Sequence, residues 1–177
     1  MPDVPQRTLW NEITEGVVYP SNDKWHGHLL EQYKLYVEMA DRISQRRTTA
    51  NSYFLTVNSA ILAFVGYLNS KDSEEYLWLL ALAGMTLCIL WRVGIASYRN
   101  LNTAKWKVVH EIEKRLPISP YDAEWDYVER GKNSALYRPI SHVEGGVPWV
   151  FLLLHFFVFV KTMPFERYWA YLTQLLG

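Results

Sequence analysis

Few residues in this chain have types and spacings that do chemistry. His110-Glu111 opens like the zinc-protease pattern HExxH, but Lys114 stands where the second histidine would share the helix face. Asp122, Glu124 and Asp126 alternate as at the start of a calcium loop, yet Tyr127 occupies the glycine position and the segment reads as a helix, which makes them a solvated acidic face. His26 and His28 form an HxH pair with no further ligands beside Trp25. There is one cysteine, Cys88, too few for a disulfide or a zinc set, and neither a phosphate-cradling glycine loop nor a GxSxG elbow. These residues predict no catalytic centre, no cofactor and no metal, and the chain reads as a non-enzyme.

His155 stands apart, an ionisable group inside the apolar run GGVPWVFLLLHFFVFV, residues 145–160. At membrane depth such a residue marks a proton or ion path, or is a neutral imidazole hydrogen-bonded across helices, or lies near the interface if the span is shallow.

The most organised pattern is a stripe of small residues. Ser52, Thr56, Ser59, Ala63, Gly66 and Ser70 follow steps of four, three, four, three and four, which places them on one helix seam. In lipid, small seams let helix backbones approach and their hydroxyls bond across the contact. Asn51 and Asn58, seven apart, lie beside the seam and need polar partners, and Gly84 with Cys88 makes a second small pair. The seam packs within one subunit, packs between subunits or lines a wet lumen.

These residues must be positioned by long helices. The chain has 177 residues, 18 basic and 18 acidic, and a mean hydropathy of −0.11. Zero net charge argues against nucleic acid as a partner. The average hides segregation: residues 48–70 carry no charge, residues 76–91 carry none and continue past Arg92, and residues 145–160 form the third apolar run. Each is near the length that crosses a bilayer core. No apolar leader occupies residues 1–16, so the first span is read as an anchor. Arg42, Arg46 and Arg47 precede it and Arg92 and Arg99 follow the second span, while the intervening 69–75 connection is acidic, so the N-terminus is expected in the cytoplasm. These five arginines are candidates for binding anionic lipid headgroups.

No proline interrupts residues 21–116. Leu29, Tyr33, Tyr36, Ala40, Ile43 and Arg47 repeat at three and four before the first span, and Leu101, Lys105, Val108, Ile112 and Leu116 do so after the second. The expected organisation is an N-terminal extension, 1–23, then an antiparallel helical hairpin, 24–116, with spans at about 50–69 and 75–97 and paired cytoplasmic extensions. A connector, 117–141, carries a short helix, 120–131, that Ser119 and Pro120 open and Gly131 ends. Ser141 to Glu144 fits a capping box for the third apolar helix, 142–163. Phe165, Trp169, Leu172 and Leu176 give the tail, 164–177, an amphipathic helical spacing. Lys161 and Arg167 against Glu166 do not decide whether the third run crosses fully, and the side of the C-terminus stays open with it.

Three segments together resemble a known family: Tyr33 to Gly66, Ser97 to Trp125, and the VEGGVPWVF opening of the third run. They are similar to the RipA-like family of small octameric bacterial inner-membrane proteins. The likeness covers most of residues 28–160. It implies an all-α membrane protein assembled as a homo-oligomeric ring, an octamer in the cytoplasmic membrane, and it brings no catalytic residues. With eight helices at about 9–10 Å spacing, the inner ring leaves a hole about 15 Å wide, too wide for side-chain ion selection. The expected function is a scaffold in envelope or stress physiology, with itself and membrane lipids as partners. The alternative is a pore or conflict-system effector whose conduit the first span lines, a weaker likeness that rests on architecture.

Overall fold

The computed structural model describes residues 9–10, 21–71, 76–137, 140–165 and 174, without the side chains of 140–142. The acidic 72–75 connection and most of the amphipathic tail lie outside these residues. The described residues form four α-helices: α1 (Asn22–Asn69), α2 (Leu77–Glu113), α3 (Pro120–Tyr127) and α4 (Ile140–Thr162). A 3₁₀ turn, Glu129–Gly131, follows α3. The chain divides into two compact units, residues 1–44 with 100–137 and residues 45–99 with 138–177.

In the first unit, Ser21 opens α1 by accepting the Lys24 amide at 3.3 Å. Leu29, Ala40 and Ile43 on α1 are buried, so its three-and-four spacing is the packed face; on α2, Lys105 and Ile112 of the expected stripe are buried together with Val109, whereas Leu101 is exposed. Each large apolar side chain removed from water here contributes about 1.5–3 kcal/mol. Lys105, on the same face of α2, buries its stem and sets its ammonium 4.5 Å from the Tyr36 ring centre. Pro117 cannot continue α2, and Leu116 closes the last turn by donating to the Glu113 carbonyl at 2.9 Å.

Ser119 occupies the N-cap position of α3, but its hydroxyl donates to the Glu113 carbonyl and caps nothing. The α-helix ends at Tyr127, short of the expected Gly131. Glu129, Arg130 and Gly131 then take φ of 51°, 52° and 71°, a left-handed run. Only glycine adopts this cheaply, and a methyl at Gly131 would also meet the Trp125 ring at 3.1 Å.

In the second unit, α2 and the Val143–Thr162 part of α4 are long and apolar enough to cross a membrane. The uncharged stretch of α1 is not among the helices that meet this measure, because Asn51, Asn58, Asn69 and the hydroxyl residues of the seam dilute its apolar side chains. Its packed residues include Asn58 and Val65, and α2 buries Leu77, Ala81, Cys88, Trp91 and Ile95. Helix α4 begins at Ile140, ahead of the Ser141 expected as its N-cap, so Pro148 lies in its interior.

Candidate functional site

The polar residues of the second unit form two layers. In one, the Asn58 amide nitrogen donates to the Phe54 carbonyl at 2.8 Å, which turns its side-chain oxygen toward α2 and α4. That oxygen accepts the Cys88 thiol at 3.2 Å and lies 3.1 Å from His155 Nε2. Because the oxygen can only accept, Nε2 carries the proton and Nδ1 holds a lone pair, which has no partner among the described residues. Asn58 and His155 are fully buried. The imidazole lies against Gly84, where a methyl would overlap three ring atoms. His155 is thus a hydrogen-bonded imidazole linking helices, and Asn58 joins three helices through one oxygen.

The other layer is seven residues away on α1. The Trp91 indole N–H donates to Asn51 at 3.0 Å. The Trp91 ring stacks on Phe54 with centroids 5.8 Å apart and meets Phe151 at 6.1 Å. One turn back along α1, Arg47 Nε faces the Glu144 carboxylate of α4 at 3.5 Å. Lipid tails are as apolar as leucine, so in a membrane helices are held together by polar contacts and close ring packing of this kind more than by water exclusion.

The six seam residues and the two asparagines beside them therefore separate into two groups. Asn51 and Asn58 turn inward and spend their side-chain oxygens within the chain. Ser52, Thr56, Ser59, Ala63, Gly66 and Ser70 are all exposed. The Thr56 hydroxyl donates to the Ser52 carbonyl at 2.9 Å, which satisfies it on its own helix. The arginines separate as well. Arg42 is exposed and pairs with Glu38 at 2.7 Å. Arg46 and Arg99 are exposed and Arg92 is half-buried. The Arg47 side chain is 18% exposed and faces Glu144.

In the first unit, the sequence reading missed Glu113. Its carboxylate is fully buried and accepts three hydrogen bonds, from the Tyr33 hydroxyl at 2.9 Å and from the backbone amides of Tyr121 and Asp122 at 3.1 Å. A carboxylate from α2 thus performs the N-capping of α3. Burial, the hydrogen bond to Glu113 and its charge raise the Tyr33 hydroxyl well above the ordinary tyrosine range. Burial and the charges of Asp41 and Glu124 raise Tyr121. Trp106 packs on Tyr121 with centroids 4.9 Å apart, and His110 Nδ1 lies 3.9 Å from Asp122. His26 meets Trp25 edge-on. Among the described residues, no three His, Cys, Asp or Glu side chains gather where they would hold a metal ion.

These features define an all-helical protein with apolar helices of membrane-crossing length, a polar layer inside its packed bundle and an exposed small-residue seam. The octameric membrane protein family model (8xMP) matches residues 30–164, and the chain belongs to that family. No curated protein and no solved structure matches it.

Proposed function

We propose that this chain is the non-enzymatic subunit of a homo-octameric ring in the bacterial inner membrane, a scaffold in envelope or stress physiology. In this reading α1 and α2 form an antiparallel hairpin that crosses the membrane with the N-terminus in the cytoplasm, and α4 adds a third helix. The reading rests on one observation. The small residues of α1 are exposed on the single chain while Asn51 and Asn58 are spent inside it, which leaves a seam suited to close approach by a neighbouring copy. The family's octameric description supports it.

Arg42, Arg46, Arg92 and Arg99 bind anionic headgroups in this arrangement, each contributing about 1 kcal/mol near the surface. Reversing Arg42, Arg46 and Arg92 to Glu lowers retention of anionic lipid; unchanged retention overturns that assignment.

The exposed hydroxyls of Ser52, Thr56 and Ser59 favour a second reading, a conduit lined by the seam. Single-particle imaging in lipid nanodiscs, joined to conductance in planar bilayers, separates the two. Eight subunits around an axis filled by lipid or closed by protein, with no conductance, support the scaffold. A water-filled axis lined by this seam, with a conductance that Thr56→Leu or Ser59→Leu abolishes, overturns it in favour of the pore.

A further inference from the structure

The charges of α1 and α4 stop at one level. Residues 48–70 of α1 and 145–160 of α4 carry no charge, and Arg47 and Glu144 are the residues immediately before them. Two contacts set these helices in step: Arg47 meets Glu144 and Asn58 meets His155, each pair 97 residues apart. The second unit therefore holds the two stretches side by side in the same direction. The charged pair lies 11 residues, about 16 Å, before the Asn58 layer. In the membrane reading this is the level at which lipid tails give way to headgroups.

The pair is not closed on itself. Arg47 Nε and Glu144 Oε2 face each other at 3.5 Å, and each is a buried atom with no hydrogen-bond partner among the described residues. The two side chains stay 18% and 21% exposed, so a cation and an anion are presented together at the helix surface. One turn deeper on α1, Asn51 spends its oxygen on the Trp91 indole. Its Nδ2 is a buried donor with no partner among the described residues. The site thus offers two donors and one acceptor, with the donors extending toward the tails. Arg42 differs, since it is exposed and pairs with Glu38 of its own helix at 2.7 Å.

A simple anion at this site is repelled by Glu144, and a simple cation by Arg47. A ligand that carries both charges a short distance apart satisfies both. We propose that Arg47, Asn51 and Glu144 form a site for a zwitterionic phospholipid headgroup with a primary ammonium, that of phosphatidylethanolamine. The phosphate oxygens accept from Arg47 and, one turn deeper, from Asn51, and the ammonium donates to Glu144. A headgroup lies in a bilayer in the same order, phosphate toward the tails and ammonium toward the water. The site rests on the membrane reading and gives a ligand to a charged pair which that reading leaves without a role.

Native mass spectrometry of the full-length protein tests it, after release from nanodiscs holding equal parts of phosphatidylethanolamine, phosphatidylcholine and phosphatidylglycerol. Choline keeps the positive charge but has no N–H to donate, so the two zwitterionic lipids differ only in the bond to Glu144. The expected result is phosphatidylethanolamine retained about fivefold over phosphatidylcholine, the ratio that a partly exposed ion pair supplies. Glu144→Gln brings that ratio to one and leaves retention of phosphatidylglycerol by Arg42, Arg46 and Arg92 unchanged. Arg47→Met lowers retention of both zwitterionic lipids. A ratio of one in the unsubstituted protein overturns the site, and so does a ratio that survives Glu144→Gln. Phosphatidylglycerol that displaces phosphatidylethanolamine one for one overturns the zwitterionic assignment. Excess free phosphoethanolamine leaves the bound lipid in place; displacement by it assigns the site to a soluble ligand and overturns the lipid. The comparison of the two zwitterionic lipids needs no substitution, so it stands whether or not a variant folds. Protein that retains none of the three lipids overturns the membrane reading itself.

Discussion

The Tyr33 hydroxyl on α1 donates to the Glu113 carboxylate on α2 across 80 residues of sequence, and the same carboxylate closes the N-terminus of α3. One buried acid therefore ties three helices of the first unit together. Its three donors compensate the cost of withdrawing it from water.

Tyr33→Phe removes one of those donors and is expected to cost about 1.5–3 kcal/mol, the range for a hydrogen bond to a charged group. The pH dependence follows from the raised folded-state value. Below the ordinary tyrosine pKa, near 10, the hydroxyl is neutral in both states and its stabilisation is complete. Above it the unfolded chain ionises first, so stability falls as pH rises. Thermal unfolding followed by helicity should show the wild type losing stability above pH 10 more steeply than Tyr33→Phe.

Gly84→Ala places a methyl inside the space of the His155 ring. Overpacking of this kind costs about 1–3 kcal/mol. The test is a cycle with His155→Ala. In that background the methyl has room, so the double variant should melt well above the value that adding the two single losses predicts. Additive losses would show that the ring and Gly84 do not touch.

Asn58→Leu removes the acceptor shared by Cys88 and His155. Two buried donors lose their partner at once, at about 1–3 kcal/mol for each unsatisfied group. Cys88→Ala removes one weak donor and leaves the Asn58–His155 bond, so its loss should be clearly smaller. Equal melting temperatures for the two variants would contradict the shared acceptor.

Arg47→Ala removes the cation facing the Glu144 carboxylate; at 3.5 Å, with side chains 18% and 21% exposed, the pair is expected to contribute about 1 kcal/mol. Arg47→Met with Glu144→Gln removes both charges and should recover most of that loss. Arg46→Ala, one position away on the exposed face, should change the melting temperature little. An Arg46 effect as large as that of Arg47 would mean that exposure does not distinguish them.

Much of the architecture is legible in local pattern. Uncharged length marks helices α2 and α4 as able to cross a membrane, and the spacing of Leu29, Ala40 and Ile43 marks the packed face of α1, because both depend only on composition and helical period. The seam of Ser52, Thr56, Ser59, Ala63 and Gly66 is legible for the same reason. Its exposure is not, since period alone does not say which of two polar stripes turns inward.

Partners distant in the chain are decided by the tertiary structure. In the sequence, Glu113 is one acid among several at the end of an amphipathic helix, and Ser119 is the better cap by residue type. Only the return of α3 beside α2 brings the Tyr121 and Asp122 amides to the Glu113 carboxylate. Arg47 likewise reads as one of three adjacent basic residues until the fold sets Glu144 against it. His155 announces itself as a polar group in an apolar run, but its tautomer and its bond to Asn58 come from three helices meeting. Period and composition are properties of neighbouring residues, whereas a buried polar group is satisfied by whichever residue the packing delivers to it.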